Sequence, residues 1–325
     1  MRIIAIFFRP LLQLLIFLIV LLGVAGKSAN AQNHFRVESP PGVAKQGEVC
    51  PVRASGPTSF KSIYAEFQGL RFPMAFGEQK GTYEGLIGID INTQPATYPI
   101  KIVATDGGNS VYLNPLSLKV EKVTFGVQKL SLPSSMVDLD AKTLERVNRE
   151  ARRLKALFQT FRDERLWRET FIRPVEGKIS GAFGLNRMIN GKLRGQHTGV
   201  DLRAEEGTSV LACNNGMVVL VDHLFFSGKS ILLDHGWGLH SMYFHLSETL
   251  VQEGDRVNRG ALLGRVGSTG RSTGPHLHWG IRMNGARVDP FSLPGVIKTA
   301  ESGADIGPRK RGASIGCQGD GSLGH

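Results

Sequence analysis

Turn-forming residues interrupt this chain too often for long helices or broad unbroken apolar layers. Its 325 residues include 40 glycines and 15 prolines, against a usual glycine share of ~7%. Between residues 32 and 127, the runs Val49–Arg53, Ser62–Phe67, Tyr83–Ile91, Tyr98–Thr105 and Leu116–Val123 alternate or stay apolar, and Gly, Pro and Asn separate them every 8–12 residues. That rhythm predicts short strands folded into a small β-sandwich. Nineteen glycines fall between Gly177 and Gly285. They flank the β-prone runs Val210–Ala212, Met217–Val221, Ser230–Asp234 and Ser241–His245, so residues 171–296 read as a second β-domain. There is no Gly-X-Y period, which excludes a collagen. With 41% hydrophobic and 21% charged residues, a wholly disordered chain is excluded too.

The stretch 128–170 reads differently, as a helical linker. Leu144, Val147, Ala151, Leu154, Phe158 and Phe161 recur at steps of three and four, which predicts one helix over 140–166 with an apolar stripe. Asp140 is placed to cap it by accepting from free backbone N–H groups. Arg146, Arg149, Arg152, Arg153 and Lys155 occupy the other faces, and the helix is expected to pack its stripe on a neighbouring domain.

The two ends read as processing and tail segments. Residues 1–31 resemble an export signal: Arg2 and Arg9 start it, Leu11–Val24 is a 14-residue apolar run, and Ala29-Asn30-Ala31 is an A-x-A cleavage site. The protein is therefore expected to be exported, periplasmic or envelope-associated in a bacterium, or membrane-anchored through that segment if it is not cleaved. Residues 297–325 carry Pro308 and Arg309-Lys310-Arg311 with almost no large apolar side chain, and are expected to be disordered. The net charge of +11 loses three positive charges with residues 1–31 and gathers in no stripe. Nucleic acid is thereby excluded as a partner, and mild attraction to an anionic polymer remains. Cys50, Cys213 and Cys317 lie far apart without a CxxC, so neither a disulfide scaffold nor a cysteine zinc site is expected.

The chemistry concentrates in the second β-domain. His197 and Asp201 lie in Gln196-His197-Thr198-Gly199-Val200-Asp201, His276 and His278 in Gly274-Pro275-His276-Leu277-His278-Trp279-Gly280, and His245 in Tyr243-Phe244-His245-Leu246. Strand side chains alternate with period two. Residues two or four apart on a strand share a face, so these groups are expected to converge on one sheet surface. Nitrogen and oxygen ligands of this kind suit Zn²⁺, and three protein ligands leave a position open for water and substrate.

Together these motifs resemble the M23 family of peptidoglycan metallopeptidases, of the lysostaphin and LytM type, over residues 174–293. Ser180-Gly181-Ala182-Phe183-Gly184 and Arg187 are similar to its first β-turn. His197-Thr198-Gly199-Val200-Asp201 is similar to its H-x-G-x-D, and Glu206-Gly207-Thr208-Ser209-Val210 to the G-T-P-V that follows, with Ser209 in place of proline. Asp234-His235-Gly236 through His245-Leu246 is similar to its central hairpin, and Gly267-Ser268-Thr269-Gly270 with Gly274-Pro275-His276-Leu277-His278 to its closing signature. The β-module of residues 32–127 resembles, more loosely, an N-terminal extension in a bacterial subgroup of that family. The resemblance implies a LytM-like antiparallel sheet with zinc at its floor, held by His197, Asp201 and His278, with His245 and His276 as the catalytic histidines. It implies peptidoglycan as the substrate, with divisome or wall-synthesis proteins as candidate partners. The alternative is an inert LytM-like factor that binds cell wall or activates another hydrolase, but all five functional positions are filled. His235 is expected to be structural, His240 to sit at a surface strand position, and Cys213 to be a small buried residue.

Overall fold

The structure, a computed structural model, describes residues 36–39, 42–56, 60–77, 81–105, 110–112, 115–168 and 170–293. The export signal expected over 1–31 and the tail expected over 297–325 lie outside these residues. The fold is mainly β, as the turn rhythm required. Among the described residues, nine strands between Arg36 and Glu121 form one hydrogen-bonded sheet, eight in a continuous path and Ser110–Tyr112 beside Ala96–Thr105. The strand Ser62–Phe67 buries Ile63, Ala65 and Phe67 and exposes the residues between them more, the alternation of a half-buried strand. It turns into Leu70–Phe76 through Gln68 and Gly69, both at positive φ, as a two-residue hairpin turn requires. The ten-residue strand Ala96–Thr105 pairs with Ser62–Phe67 along its second half and with Leu116–Glu121 along its first. Inward residues of both halves, among them Val52, Ala54, Ile87, Ile102 and Leu118, meet in one core.

The second β unit is an antiparallel sheet in the order Lys178–Gly181, Val200–Arg203, His276–Met283, Leu239–Thr249, Gly228–Asp234, Gly216–Leu224 and Arg256–Val257. Its central strand is buried without a break from Leu239 to Leu246, because both faces of the sheet are covered. One face presents Ile231, Leu233, Tyr243, Leu277 and Ile281 to the large core. The other presents Leu220, Leu232, Met242 and Phe244, closed by Leu154, Leu157 and Phe158 of the helix Ala141–Phe158. A register shift between Val218 and Leu220 lets Leu220 join the helix face although Val218 faces the large core.

Asp140 caps this helix by accepting from the Thr143 N–H at 2.8 Å. The helix stops at Phe158, eight residues short of the end expected at 166. The backbone beyond it bonds instead to the Asp234–Trp237 turn: Trp237 N–H donates to Arg162 O and Leu166 N–H to His235 O. Nor is the linker helical from its start. Val127–Leu130 forms a strand parallel to Asn186–Ile189, which pairs in turn with Lys192–Gln196. The alternating Val127-Gln128-Lys129-Leu130 meets an open hairpin edge there, and the Asn190 side chain clasps both the N–H and the C=O of Leu132.

The two β units share a packed boundary. One connected apolar cluster runs from Val52 and Ile87 to Leu277 and Ile281. Asp90 receives Nε and Nη2 of Arg287 at 2.9 and 2.6 Å and its backbone N–H at 2.8 Å. Val49 N–H donates to Ser292 Oγ, and Asp289 N–H to Gly47 O.

Candidate metal centre

Register alone assembles half of the centre. Asp201 lies opposite His278, and Phe244 lies opposite His278 on its other side. Register partners share a face, so these three side chains stand together. Two glycines make room for them. A Cβ at Gly181, the register partner of Asp201, would lie 2.5 Å from Asp201 Oδ2, and one at Gly199 would lie 2.6 Å from Trp279 O and 2.7 Å from His278 Nε2.

His197 arrives differently from the sequence expectation. It is not on the Val200–Arg203 strand with Asp201; it sits just past Lys192–Gln196 and reaches the cluster across the bend at Gly199. Its backbone is held by Leu185 O and the Gly184 N–H. His197 Nδ1 lies 2.8 Å from Ala182 O. A carbonyl only accepts, so Nδ1 carries the proton and Nε2 presents a lone pair inward. That Nε2 lies 2.9 Å from Asp201 Oδ1 and 3.0 Å from His278 Nδ1, and the latter two are 2.9 Å apart. Tetrahedral ligands at zinc bond lengths of ~2.0–2.1 Å stand about 3.3 Å from one another. A near-equilateral triangle of N, O and N donors therefore fits such an ion, and the three side chains are buried.

The other two histidines flank this triangle. His276 Nδ1 donates to Gly274 O at 2.7 Å, and its Nε2 lies 3.7 Å from Asp201 Oδ1. His245 Nδ1 donates to Thr269 O at 2.8 Å. The His245 ring centroid is 4.8 Å from that of His276 and 6.1 Å from that of His278. Strand alternation would send His245 and Phe244 to opposite faces. His245 instead has φ 65°, and this left-handed residue breaks the alternation and brings its imidazole to the face that carries Phe244, which stacks on His278 at 5.5 Å. The conformation costs a non-glycine residue about 1–2 kcal/mol, and no composition or spacing signal announces it.

Electrostatics bind the cluster together. Burial would raise the Asp201 pKa, but its close interactions with the His197 and His278 rings hold it well below the usual carboxylate range. Burial pushes His278 down to about 4, against the pull of Asp201. Burial, reinforced by His276 and His278, pushes His245 down to about 3. Asp201 spends Oδ1 on the histidines, and its Oδ2 accepts from Arg187 Nη2 at 2.8 Å. The turn motif assigns Arg187 no contact; in the fold it fixes the outer oxygen of the carboxylate. A cavity of about 110 Å³ opens over the cluster between Gln128 and Leu130 of the linker strand and Arg271, Ser272 and Thr273 of the loop before His276.

Two neighbouring histidines lie outside the cluster. His235, expected to be structural, is fully buried between Asn215 O at 2.6 Å and Ser241 Oγ at 2.7 Å. His240, expected on the surface, is fully buried as well. The helix end covers it: its ring meets Phe158 edge-on at 6.1 Å, and Nε2 lies 3.3 Å from Thr160 Oγ1. Cys213 is a buried small residue, whose thiol burial pushes up to about 11.

Two imidazoles and a carboxylate around one point, with two further histidines at its edge, form the donor set of a metal-dependent hydrolase. Residues 195–290 match the family model of peptidase family M23. A crystal structure described as a peptidase M23 from Pseudomonas aeruginosa superposes with a TM-score of 0.59 at 30% identity, over 76% of this chain and 93% of that one. The chain belongs to peptidase family M23. An uncharacterised metalloprotease of Haemophilus influenzae is 37% identical over 126 residues, and the peptidoglycan DD-endopeptidase ShyC of Vibrio cholerae is 33% identical over 133. Those matches cover 37% and 40% of this chain and 26% and 30% of the relatives, so the chain spans less than a third of either.

Proposed function

We propose that this chain is a zinc metalloendopeptidase that hydrolyses peptide crosslinks of bacterial peptidoglycan. One observation carries the reading: His197 Nε2, Asp201 Oδ1 and His278 Nδ1 lie within 3.0 Å of one another, beside two histidines whose Nδ1–H groups are committed to carbonyls. In this reading His197, Asp201 and His278 hold the ion. A bound zinc lowers the pKa of water toward ~7 and polarises a carbonyl. Asp201 contributes the negative charge that holds a dication, and Arg187 keeps its second oxygen turned away. His245 and His276 each present a lone pair on Nε2. Between them they accept the proton of the attacking water and deliver one to the departing amine, a task worth roughly 10²–10⁴-fold. The wall as substrate is supported by what the Vibrio relative's name says it cuts. Export by the 1–31 segment to the periplasm or envelope belongs to the same reading.

The test is metal content together with digestion of purified sacculi, with products weighed by mass spectrometry. The parent is expected to hold one zinc and release crosslinked peptides. Asp201→Ala is expected to lose both metal and turnover, whereas His276→Ala is expected to keep the metal and lose turnover by roughly 10²–10⁴. A His276→Ala protein that digests sacculi at the parent rate sinks the assignment, as does a zinc-loaded parent that digests nothing.

A further inference from the structure

The cavity over the donor triangle has two arginines in its walls, Arg187 and Arg271. Arg187 is neutralised by Asp201 at 2.8 Å. Arg271 has no carboxylate within ion-pair distance among the described residues. Its guanidinium carbon instead lies 4.0 Å from the centroid of the Phe226 ring, a stack that holds the planar group by one face and leaves its N–H fork free. Burial, and the like charges of Arg187 and Arg194, push its pKa down, as expected of a cation with no counter-charge.

The loop that carries Arg271 is built to hold it still. Arg271 N–H donates to Phe226 O at 2.8 Å. Gly270, at φ 71°, backs directly onto the Gly228 backbone. Ser272 Oγ ties Ser268 Oγ to Gly274 O. Two residues before Arg271, Thr269 O holds His245; five residues after it stands His276. The arginine is thus positioned by the same loop that aims both flanking histidines, and its side chain faces the space a bound peptide would fill.

We propose that Arg271 is a specificity-determining residue that receives a free substrate carboxylate beside the scissile amide. A guanidinium pairs with a carboxylate through two parallel N–H···O bonds. A crosslink from D-alanine to the amine of a diamino acid whose amine-bearing carbon also carries a carboxylate presents that group next to the bond to be cut. A glycine bridge presents none. The substrate class is therefore a crosslink with a carboxylate on the amine side of the scissile bond, an inference that rests on the wall-hydrolase reading and names its substrate.

The experiment compares zinc-loaded full-length parent, Arg271→Gln and Arg271→Lys on synthetic tetrapeptide dimers joined through a diamino acid. In one dimer the carboxylate is free; in the other it is amidated. Arg271→Gln is expected to raise KM for the free acid roughly ten- to hundred-fold with kcat little changed, and to leave the amidated dimer unaffected. Arg271→Lys is expected to recover part of the loss. Equal losses on both dimers, or no change in KM, overturn the proposal. Calorimetric binding of both dimers to metal-stripped parent separates the two readings. A parent that prefers the free acid at least tenfold but cleaves neither dimer keeps Arg271 in this role and sinks the hydrolase. One that cleaves both dimers equally well keeps the hydrolase and sinks this role. One that neither binds nor cleaves sinks both.

Discussion

Gly199→Ala tests whether the centre depends on close approach. The new Cβ would stand 2.6 Å from Trp279 O and 2.7 and 2.8 Å from Nε2 and Cε1 of His278. Ordinary contact begins near 3.4 Å, so about 0.8 Å must be found at the carbonyl and 0.6–0.7 Å at the ring. The carbonyl belongs to a residue in the middle of a paired strand and cannot yield alone. The His278 ring is the softer side, although Phe244 is stacked on it with only 5° between the planes. Overpacking of this kind costs about 1–3 kcal/mol. A ligand displaced by more than ~0.5 Å leaves the tolerance of a preorganised site. The expected outcome is a folded protein whose zinc affinity falls at least roughly tenfold, comparable to the loss of a supporting contact around a metal site. Chelator-competition titration reads the affinity, and urea unfolding of the metal-free protein reads the strain. Gly42→Ala is the control, since a Cβ there meets nothing within 4 Å. If Gly199→Ala matches the parent in both zinc affinity and urea midpoint, the close-approach argument is refuted.

Three further outcomes follow from the packing and the buried charges. Burial pushes His235 down from its ordinary 6.5 to about 4. The unfolded chain binds its proton first, so this contribution is complete above pH 6.5 and lost between 6.5 and 4. It amounts to about 3 kcal/mol, and His235→Gln is expected to flatten that part of the urea-stability profile; an unchanged slope would contradict it. Asp90→Ala removes the acceptor of the Arg287 fork at the boundary between the two β units. Because the two side chains are 26% and 31% exposed, the expected cost is about 1–2 kcal/mol, read as a lower melting temperature and faster proteolysis of the N-terminal unit. Leu232→Ala, under the helix, is expected to cost about 2–5 kcal/mol. Leu144→Ala, on the helix but 48% exposed, is expected to cost far less, and equal effects would deny that the helix packs through its C-terminal half.

The features legible in the sequence were those set by short-range periodicity. Period two puts Ile63, Ala65 and Phe67 on one face, and on the strand His276–Met283 it puts His276 and His278 on one face as well. Period 3.6 found the helix and its packing residues Leu154 and Phe158. Both rules describe neighbours along the chain, and both failed where a distant segment took over. The helix stripe continued to Phe161, but the Asp234–Trp237 turn claims the backbone of residues 162–166. Val127–Leu130 had no stronger strand signal than many linkers have, and it became a strand because the Asn186–Ile189 hairpin edge lay open. Alternation cannot tell which sheet face a helix will cover, so it predicts a surface position for His240, which the helix end in fact buries.

The centre divides along the same line. The H-x-G-x-D and H-x-H spacings bring out four of the five histidine and aspartate positions, and the likeness of the central hairpin brings out the fifth, His245, yet the contacts that fix those side chains come from residues far apart in sequence. Arg187 reaches Asp201 across 14 residues, and Thr269 holds His245 across 24. The left-handed backbone at His245 is the sharpest case. Nothing in Tyr243-Phe244-His245-Leu246 favours positive φ, and a β-strand opposes it. The conformation persists because three long-range contacts over-determine it: the His245 N–H on Ser227 O, its Nδ1–H on Thr269 O, and Thr269 Oγ1 on Leu246 O. Strain maintained in this way accumulates where a side chain must face a particular direction. It therefore marks His245 as a residue whose orientation matters more to the protein than the stability it costs.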